Sequence, residues 1–187
     1  CYFGGGTAIA LKYGEYRESV DIDFMVSDID GYRQLRSDAT DPGGLANLFS
    51  NAGQIDTSQE VRADQYGIRS VVTFMGSPIR FEIVLEGRIS FDQPSDTDKI
   101  YGVQCLTVTD LIASKLLANS DRWGDASVFS RDLIDLVMMK FTIDEWRGAL
   151  EKSKKAYGES IEKDLINTSS SFCFPVKALI LGLNELK

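Results

Sequence analysis

Residues 4–24 read GGGTAIALKYGEYRESVDIDF and decide the fold, because they join two elements of different periodicity. A glycine run leads into residues 7–12, TAIALK, which predict a short helix that ends near Gly14. Residues 20–26, VDIDFMV, alternate apolar and acidic side chains, which is the period-two pattern of a strand with two different faces. The stretch therefore predicts a flexible glycine loop at residues 4–6, a short helix after it, and then a strand that carries two aspartates.

The remaining sequence separates into a strand-rich part and a helix-rich part. Up to residue 106 it predicts helical segments at 27–41 and 45–51. It also predicts strands at 60–63, 68–74, 79–85 and 102–106, with Gly76-Ser77-Pro78 as a hairpin turn. Beyond residue 106 it predicts only helices: Thr109 caps the first, which ends near Ser120, the second covers 128–140, Thr142 caps the third, and the fourth covers 174–186 with Pro175 in its first turn. The predicted class is α+β, with a mixed-sheet core over residues 1–106 and a C-terminal helical bundle over residues 107–187.

The composition excludes several kinds of catalysis. None of the 187 residues is His, so a Ser-His-Asp triad, a Cys-His pair and a His-ligated zinc are ruled out. The net charge of −8 argues against broad binding of nucleic acid, although it leaves room for a local basic site. Three widely spaced cysteines and the lack of a long apolar stretch indicate reduced thiols, a cytoplasmic location and no membrane partner. Because the chain starts at Cys1 and not at Met, a further N-terminal segment is expected.

The glycine run is a candidate phosphate site. Gly5-Gly6-Thr7 lies at the start of the predicted helix, where free N–H groups bind anions and glycine lets the backbone approach a phosphate closely. A tight turn with no ligand is the commoner explanation of such a run. The pattern alone leaves both interpretations open.

The paired aspartates are a candidate metal site. Asp21 and Asp23 are two residues apart on the predicted strand, so both carboxylates lie on one face. Like charges so close repel unless a cation joins them, and oxygen ligands select a hard cation such as Mg²⁺. The alternative is a strand whose acidic residues simply face the solvent.

Glu82 is a candidate third ligand. It lies on the predicted strand 79–85, and it reaches the same site if that strand pairs beside residues 20–26. Three carboxylates on neighbouring strands can hold two Mg²⁺ ions, which clamp the attacking and leaving oxygens of a displacement at phosphorus. Two alternatives remain open: Glu86 on the same face as the ligand, or Glu82 as an exposed residue paired with Arg80 or Arg88.

The same residues carry a resemblance to a known family. Residues 3–8, FGGGTA, and 17–24, RESVDIDF, resemble the polymerase-beta-type nucleotidyltransferase signature, a Gly-Gly-[Ser/Thr] turn followed by Asp-x-Asp. The fuller stretch 4–24 is similar to the AbiEii/AbiGii toxin family, a branch of that superfamily. Residues 110–116, DLIASKL, and 131–136, RDLIDL, match that family's helical motifs. The resemblance spans about residues 3–136 and implies a polymerase-beta-like fold.

The resemblance also implies a role for each matched residue. Asp21, Asp23 and Glu82 would bind Mg²⁺, although Asp is commoner than Glu at the third position. The NTP phosphates would be held by the glycine turn and by a lysine of the helical part, that is, by Gly5, Gly6, Thr7 and Lys115. Asp132 would orient Lys115 or the substrate. Arg17 and Ser19 match the Arg-x-Ser run before the aspartates, where Arg17 would fix the turn.

The helical charges have a second explanation from the residues alone. Lys115 lies on an otherwise apolar helix face, so it either extends to solvent or reaches a phosphate. Asp132 and Asp135 are three residues apart on one helix face. The alternative for them is a surface ion pair with Arg131 or Arg122.

The activity implied by the resemblance is Mg²⁺-dependent transfer of a nucleoside monophosphate from an NTP to an acceptor hydroxyl. The acceptor would be an RNA end, such as that of tRNA, or a protein side chain, and an antitoxin like a transcriptional regulator would accompany this toxin. Two alternatives stay open. One is a small-molecule nucleotidyltransferase of the antibiotic-modifying kind, favoured by the acidic composition, and the other is a catalytically inactive binding module of the same fold.

Overall fold

A computed structural model describes residues 1–50, 52–125, 127 and 131–170 of the chain. The chain divides into two compact units, Cys1–Leu106 and a second unit that begins at Thr107. Each unit has its own secondary structure, and the two are of different classes.

The first unit is built on a mixed sheet of five strands. The strands are β1 (Tyr2–Gly4), β2 (Ile22–Val26), β3 (Arg62–Ala63), β4 (Gly67–Phe74) and β5 (Ser77–Leu85). They lie in the order β1-β2-β5-β4-β3. β2 and β5 are parallel, and all other neighbours are antiparallel. A separate two-stranded ladder joins β6 (Lys99–Ile100) to β7 (Val103–Gln104).

The two α-helices of the first unit each begin shortly after a strand. α1 (Gly5–Lys12) begins directly after β1, and α2 (Ile29–Thr40) begins three residues after β2. Asp28 caps α2 by accepting a hydrogen bond of 2.6 Å from the backbone N–H of Gly31. Two short 3-10 helices, Gly44–Leu48 and Ala52–Gln54, complete the connection to β3.

The two faces of the sheet differ in polarity. One face packs into the hydrophobic core, whose buried members are Val26, Tyr32, Ala39, Leu45, Ile68, Val72, Phe81 and Ile83. Because successive side chains of a strand point to opposite faces, the residues between these positions lie on the other side. That side, the charged face, carries Asp23 on β2, Glu82 on β5 and Arg69 on β4.

The second unit is helical. It contains α3 (Val108–Arg122), α4 (Arg131–Met138), α5 (Ile143–Tyr157) and α6 (Ser160–Ser170), and α3 packs against the other three. Its buried apolar side chains include Leu111, Ile112, Leu116, Leu117, Leu133, Leu136, Trp146, Ile161 and Leu165. The predicted α+β class, with a mixed sheet followed by a helical bundle, is confirmed.

Two local predictions are wrong. Thr107, and not Thr109, caps α3, because its hydroxyl accepts from the backbone N–H of Asp110 at 3.1 Å. The hairpin turn is Met75-Gly76, both with positive φ, so Ser77 and Pro78 already belong to β5. Pro78 is tolerated there because β2 pairs with β5 only from Phe81 onward, which leaves the first residues of β5 paired on one side.

One helix cap is confirmed, some elements were not predicted, and some predictions lie outside the described residues. Thr142 caps α5 in a capping box with Glu145, as predicted. Strands β1 and β6 and helix α6 were not predicted. Residues 4–6, predicted as a flexible loop, instead end β1 and begin α1, so this helix starts two residues earlier than predicted. The start of the predicted helix 128–140 and the whole of the predicted helix 174–186 lie outside the described residues. Among the helices that the structure describes, none has the length and apolar character needed to cross a membrane.

Candidate active site

The two aspartates lie on the charged face, Asp21 immediately before β2 and Asp23 within it. Ile22 and Phe24 alternate with them along the chain and pack against the apolar core on the opposite side. The side chain of Asp21 is 41% exposed, and Asp23 is half-buried. Both carboxylates are therefore on one face, as the spacing predicts, and a solvent-borne ligand can reach Asp21.

Glu82 lies beside Asp23 on the neighbouring strand. The parallel ladder pairs Asp23 directly with Glu82, so the two side chains project from the same face on strands about 4.8 Å apart. The predicted metal site required that β5 pair beside β2, and the structure has this arrangement. Binding of a metal by Asp21, Asp23 and Glu82 stays a prediction.

The glycine turn abuts this pair of carboxylates. Gly4 ends β1 opposite Asp23, and α1 begins at the next residue. Gly5 has a φ of +67°, and a Cβ placed on it would lie 2.2 Å from Oδ2 of Asp23. Only glycine combines this backbone conformation with so close an approach. The first turn of α1, whose N–H groups have no partner within the helix, thus adjoins the Asp23 carboxylate.

The Thr7 hydroxyl fixes the backbone that carries Asp21. It donates to the main-chain oxygen of Asp21, so it must accept in its 2.8 Å contact with the hydroxyl of Ser19. Its single proton is used in this bond. Any contact of Thr7 with a phosphate would therefore use its backbone N–H, and the Thr7 side chain acts on the position of Asp21.

Two arginines neutralise the carboxylates loosely. Arg80 lies 3.7 Å from Asp21 and Arg69 lies 3.8 Å from Glu82, which are distances of ion pairs and not of hydrogen bonds. The sequence alternative paired Glu82 with Arg80 or Arg88, and this pairing is wrong. Glu82 pairs with Arg69, and Arg88 binds Glu86. The sequence held no signal for Arg69, because its nearness to Glu82 comes from the register of β4 against β5.

Glu86 is the weaker of the two candidate third ligands. Arg88 donates three hydrogen bonds to its carboxylate, from the backbone N–H at 3.0 Å, Nε at 2.9 Å and Nη2 at 2.6 Å. The Glu86 side chain is only 5% exposed, whereas that of Glu82 is 26% exposed. This difference in accessibility favours Glu82.

The carboxylate group fits a hard cation by its chemistry. Its donors are all carboxylate oxygens on one sheet face, and the partners of Asp21 and Glu82 are loose ion pairs that a cation can replace. Across the described ranges, no three Cys, Asp or Glu side chains converge closely enough to hold a metal ion as they stand. The site therefore offers suitable ligands that would have to draw together around the cation.

The second unit contains a buried charge network. Nζ of Lys115 lies 3.0 Å from Oδ1 of Asp132 and 2.7 Å from Oδ2 of Asp135, and all three side chains are at most 9% exposed. Arg122 donates two further hydrogen bonds to Asp132, at 2.7 and 2.9 Å. Burial alone raises the pKa of Asp132, but the hydrogen bond from Arg122 and the charge of Lys115 outweigh it and hold the pKa below its ordinary range. Asp110 forms a similar buried pair with Lys152, at 2.6 Å.

These contacts correct two alternatives from the sequence. Lys115 does not extend to solvent, because two carboxylates hold it in the interior. Asp132 does pair with Arg122, but as a buried group and not as part of a surface ion pair. Contact of Lys115 with a triphosphate, and a catalytic role for Asp132, stay predictions.

Comparison with known protein families agrees with the resemblance read from the sequence. A family model described as nucleotidyl transferase AbiEii toxin, type IV TA system, matches residues 1–171 of the chain. No curated protein matches the chain.

Proposed function

The chain belongs to the AbiEii family of nucleotidyl transferase toxins of type IV toxin–antitoxin systems, and from this premise we propose that it transfers a nucleoside monophosphate from an NTP to an acceptor hydroxyl, with Mg²⁺. The acceptor we propose is an RNA end, such as that of tRNA, with a protein side chain as the alternative. An antitoxin protein is the proposed biological partner.

One observation carries this proposal. The parallel register places Glu82 beside Asp23, and Gly5 places the first turn of α1 against the same Asp23 carboxylate. Cation ligands and phosphate-binding N–H groups are thus adjacent on one side of the sheet. A nucleotide with a bound Mg²⁺ requires these two kinds of group side by side.

The metal would be held by Asp21, Asp23 and Glu82, and two bound Mg²⁺ ions would supply charge neutralisation at the reacting phosphate. The chain's own groups do the remaining work. Backbone N–H groups of Gly5, Gly6 and Thr7 would bind the phosphates, since a helix start favours negative charge. The Thr7 hydroxyl would keep Asp21 in position through its carbonyl oxygen.

The transfer breaks one bond and forms another at the α-phosphorus. The acceptor oxygen bonds to this phosphorus as the bridging oxygen to the β-phosphate departs with pyrophosphate. Because the chain has no His, a carboxylate of the site would take the proton of the acceptor hydroxyl. Positioning and charge stabilisation, more than covalent chemistry by the protein, would account for the rate.

The test is transfer of label from each α-labelled NTP in turn. The protein is incubated with Mg²⁺ and with total tRNA or cell lysate, beside the variant Asp21→Ala/Asp23→Ala. A matched control, Asp30→Ala/Asp96→Ala, removes two exposed aspartates that pair with Arg33 and Lys99 elsewhere in the first unit. We expect label on the acceptor with the wild type and the control, and none with the site variant.

The other outcomes separate the alternatives. Label on a small cationic compound would favour a small-molecule nucleotidyltransferase, for which the net charge of −8 is suited. No transfer and no Mg²⁺-dependent nucleotide binding would leave a catalytically inactive binding module.

A further inference from the structure

Asn119 on α3 carries a buried hydrogen-bond donor that the fold does not use. The residue is 3% exposed, and within the part of the chain that the structure describes its Nδ2 has no hydrogen-bond partner. Burying an amide donor without a partner destabilises a protein, so an apolar residue would serve the packing better. A donor kept in the interior under these conditions indicates a role in another state of the protein.

The position of Asn119 directs this donor toward Asp132. Residues three and four apart on a helix share one face, so Asn119 lies between Lys115 and Arg122 on α3. Both neighbours bond to Asp132 of α4: Nζ of Lys115 lies 3.0 Å from Oδ1, and Arg122 donates at 2.7 and 2.9 Å. Asn119 is therefore flanked, on its own helix face, by the two donors of one carboxylate.

Lys115 is placed for these carboxylates and not for a ligand. Its side chain is 9% exposed, and Nζ also lies 2.7 Å from Asp135. A triphosphate in solution does not reach Nζ where it stands, so the predicted contact of Lys115 with a triphosphate requires the amine to leave Asp132. A buried carboxylate that loses a donor is strongly destabilised, and release is easier where another donor takes over.

We propose that Asn119 is a positioning residue that releases Lys115: as Lys115 moves to a triphosphate, the amide of Asn119 replaces it as a donor to Asp132. This inference rests on the proposed function and on the predicted contact of Lys115 with the NTP. Arg122 keeps its two bonds to Asp132 throughout, so two donor side chains serve this carboxylate before and after the exchange. Asn119 itself touches no substrate.

Ser120 supplies a matched control. Its hydroxyl is the other buried polar group without a partner among the described residues, but it lies about 100° around α3 from Asn119. Asn119→Leu and Ser120→Ala each remove an unpartnered buried polar atom, and only the first acts on the face that carries Lys115 and Arg122. Asn119→Gln returns an amide donor to that face. Asn119→Ala repeats the test with a smaller side chain, in case leucine does not fit.

Two quantities are measured on the full chain. Urea denaturation without nucleotide gives the free energy of unfolding. Isothermal titration calorimetry with Mg²⁺ and the α,β-methylene analogue of each NTP, which cannot transfer its nucleotide, gives Kd.

We expect the stability and the affinity of Asn119→Leu to change in different directions. Its free energy of unfolding should equal or exceed that of the wild type, because an unpartnered donor is removed, while it should bind the analogue roughly tenfold more weakly. Ser120→Ala should leave Kd unchanged, and Asn119→Gln should recover most of the affinity.

A purely structural role of Asn119, such as holding a buried water, predicts the reverse: stability falls and Kd does not change. That result would overturn the inference. An equal loss of affinity in Ser120→Ala and Asn119→Leu would also overturn it, because the effect would then not depend on the face that carries Lys115.

The same variants separate this inference from the proposed function. If the wild type binds the analogue and Asn119→Leu weakens that binding, yet no label is transferred, the release of Lys115 stands and the proposed transfer fails. If both proteins transfer label with the same KM for the NTP, the transfer stands and the role of Asn119 is rejected. A wild type that binds no nucleotide would reject both.

Discussion

The protein holds charged groups in two contrasting ways. On the charged face of the sheet, Asp21 and Glu82 are part-exposed and their arginine partners lie 3.7 and 3.8 Å away. In the helical unit, Asp132 and Asp135 are almost fully buried and receive bonds of 2.7–3.0 Å from Lys115 and Arg122. The first group can exchange its partners for a ligand at small cost. The second cannot lose a partner without leaving an uncompensated charge in the interior.

This contrast separates charges that are available for chemistry from charges that hold the fold. Exposed ion pairs contribute about 0–1 kcal/mol, so little opposes their replacement by a metal or a phosphate. Removing one partner of a buried pair costs about 3–5 kcal/mol. We therefore expect removal of one cation to cost much stability in the helical unit and little on the charged face.

The largest effect on stability is expected from Lys115→Met. The variant leaves Asp135 without its Lys115 contact at 2.7 Å and Asp132 with Arg122 alone. We expect the free energy of unfolding to fall by about 3–5 kcal/mol, measured by urea denaturation. Lys99→Met, which removes an exposed lysine paired with Asp96, is the matched control and should change it by less than about 1 kcal/mol. Equal effects of the two variants would erase the contrast.

Gly5→Ala should come next. Its methyl group would lie 2.2 Å from Oδ2 of Asp23, at a backbone φ of +67°. Gly14→Ala is the control, since Gly14 also has a positive φ of +92° but no neighbour within 4 Å of the added atom. The control should lose about 1–2 kcal/mol of unfolding free energy from backbone strain alone. Gly5→Ala should lose more and should also reduce transfer by displacing Asp23; equal losses would show that the turn does not press on this carboxylate.

The pH dependence of stability should show the contribution of the buried Asp132. Its pKa is lowered in the folded protein by Arg122 and Lys115, which together outweigh the effect of burial. The stabilisation is therefore fully present above the unfolded pKa of about 4 and is lost as pH falls through the lower folded pKa. Urea denaturation between pH 7 and pH 3 should show the difference between wild type and Asp132→Asn shrinking below about pH 4. A difference that grows on acidification would contradict the sign.

The smallest effect is expected from Arg80→Gln. This arginine is 63% exposed, and its pair with Asp21 spans 3.7 Å. The free energy of unfolding should change by less than about 1 kcal/mol, again by urea denaturation. A loss comparable to that of Lys115→Met would mean that the charged face is as rigidly held as the helical network.

The sequence predicts individual elements better than it predicts their pairing. The alternation in residues 20–26 was sufficient to predict β2, and the short run 7–12 was sufficient to predict most of α1, because both patterns are local. The nearness of Arg69 to Glu82 depends on the register between β4 and β5, which no local pattern reveals. Thr107 was missed as a cap because Thr109 stands nearer to Asp110, although a cap bonds to the residue three positions on.

The buried network shows a second limit of the sequence. Helical spacing placed Asp132 and Asp135 on one face, but burial depends on how α3 packs against α4. An isolated lysine on an apolar helix is compatible with a solvated or an interior position. Only the packed helices show that Lys115 lies between two carboxylates.

The most direct test of the account is transfer of label from an α-labelled NTP by Asp23→Asn, a change that removes the charge and keeps the shape. Asp23 adjoins both Glu82 and Gly5, so its charge should be essential to transfer, whereas the loss of that charge beside the first turn of α1 should lower the free energy of unfolding by only about 1 kcal/mol. We predict a loss of transfer of about 10³-fold, the size expected when one key electrostatic group is removed from an active site, in a variant that is still folded and unfolds cooperatively in urea. Transfer at the wild-type rate by this variant would contradict the assignment of the charged face as the active site.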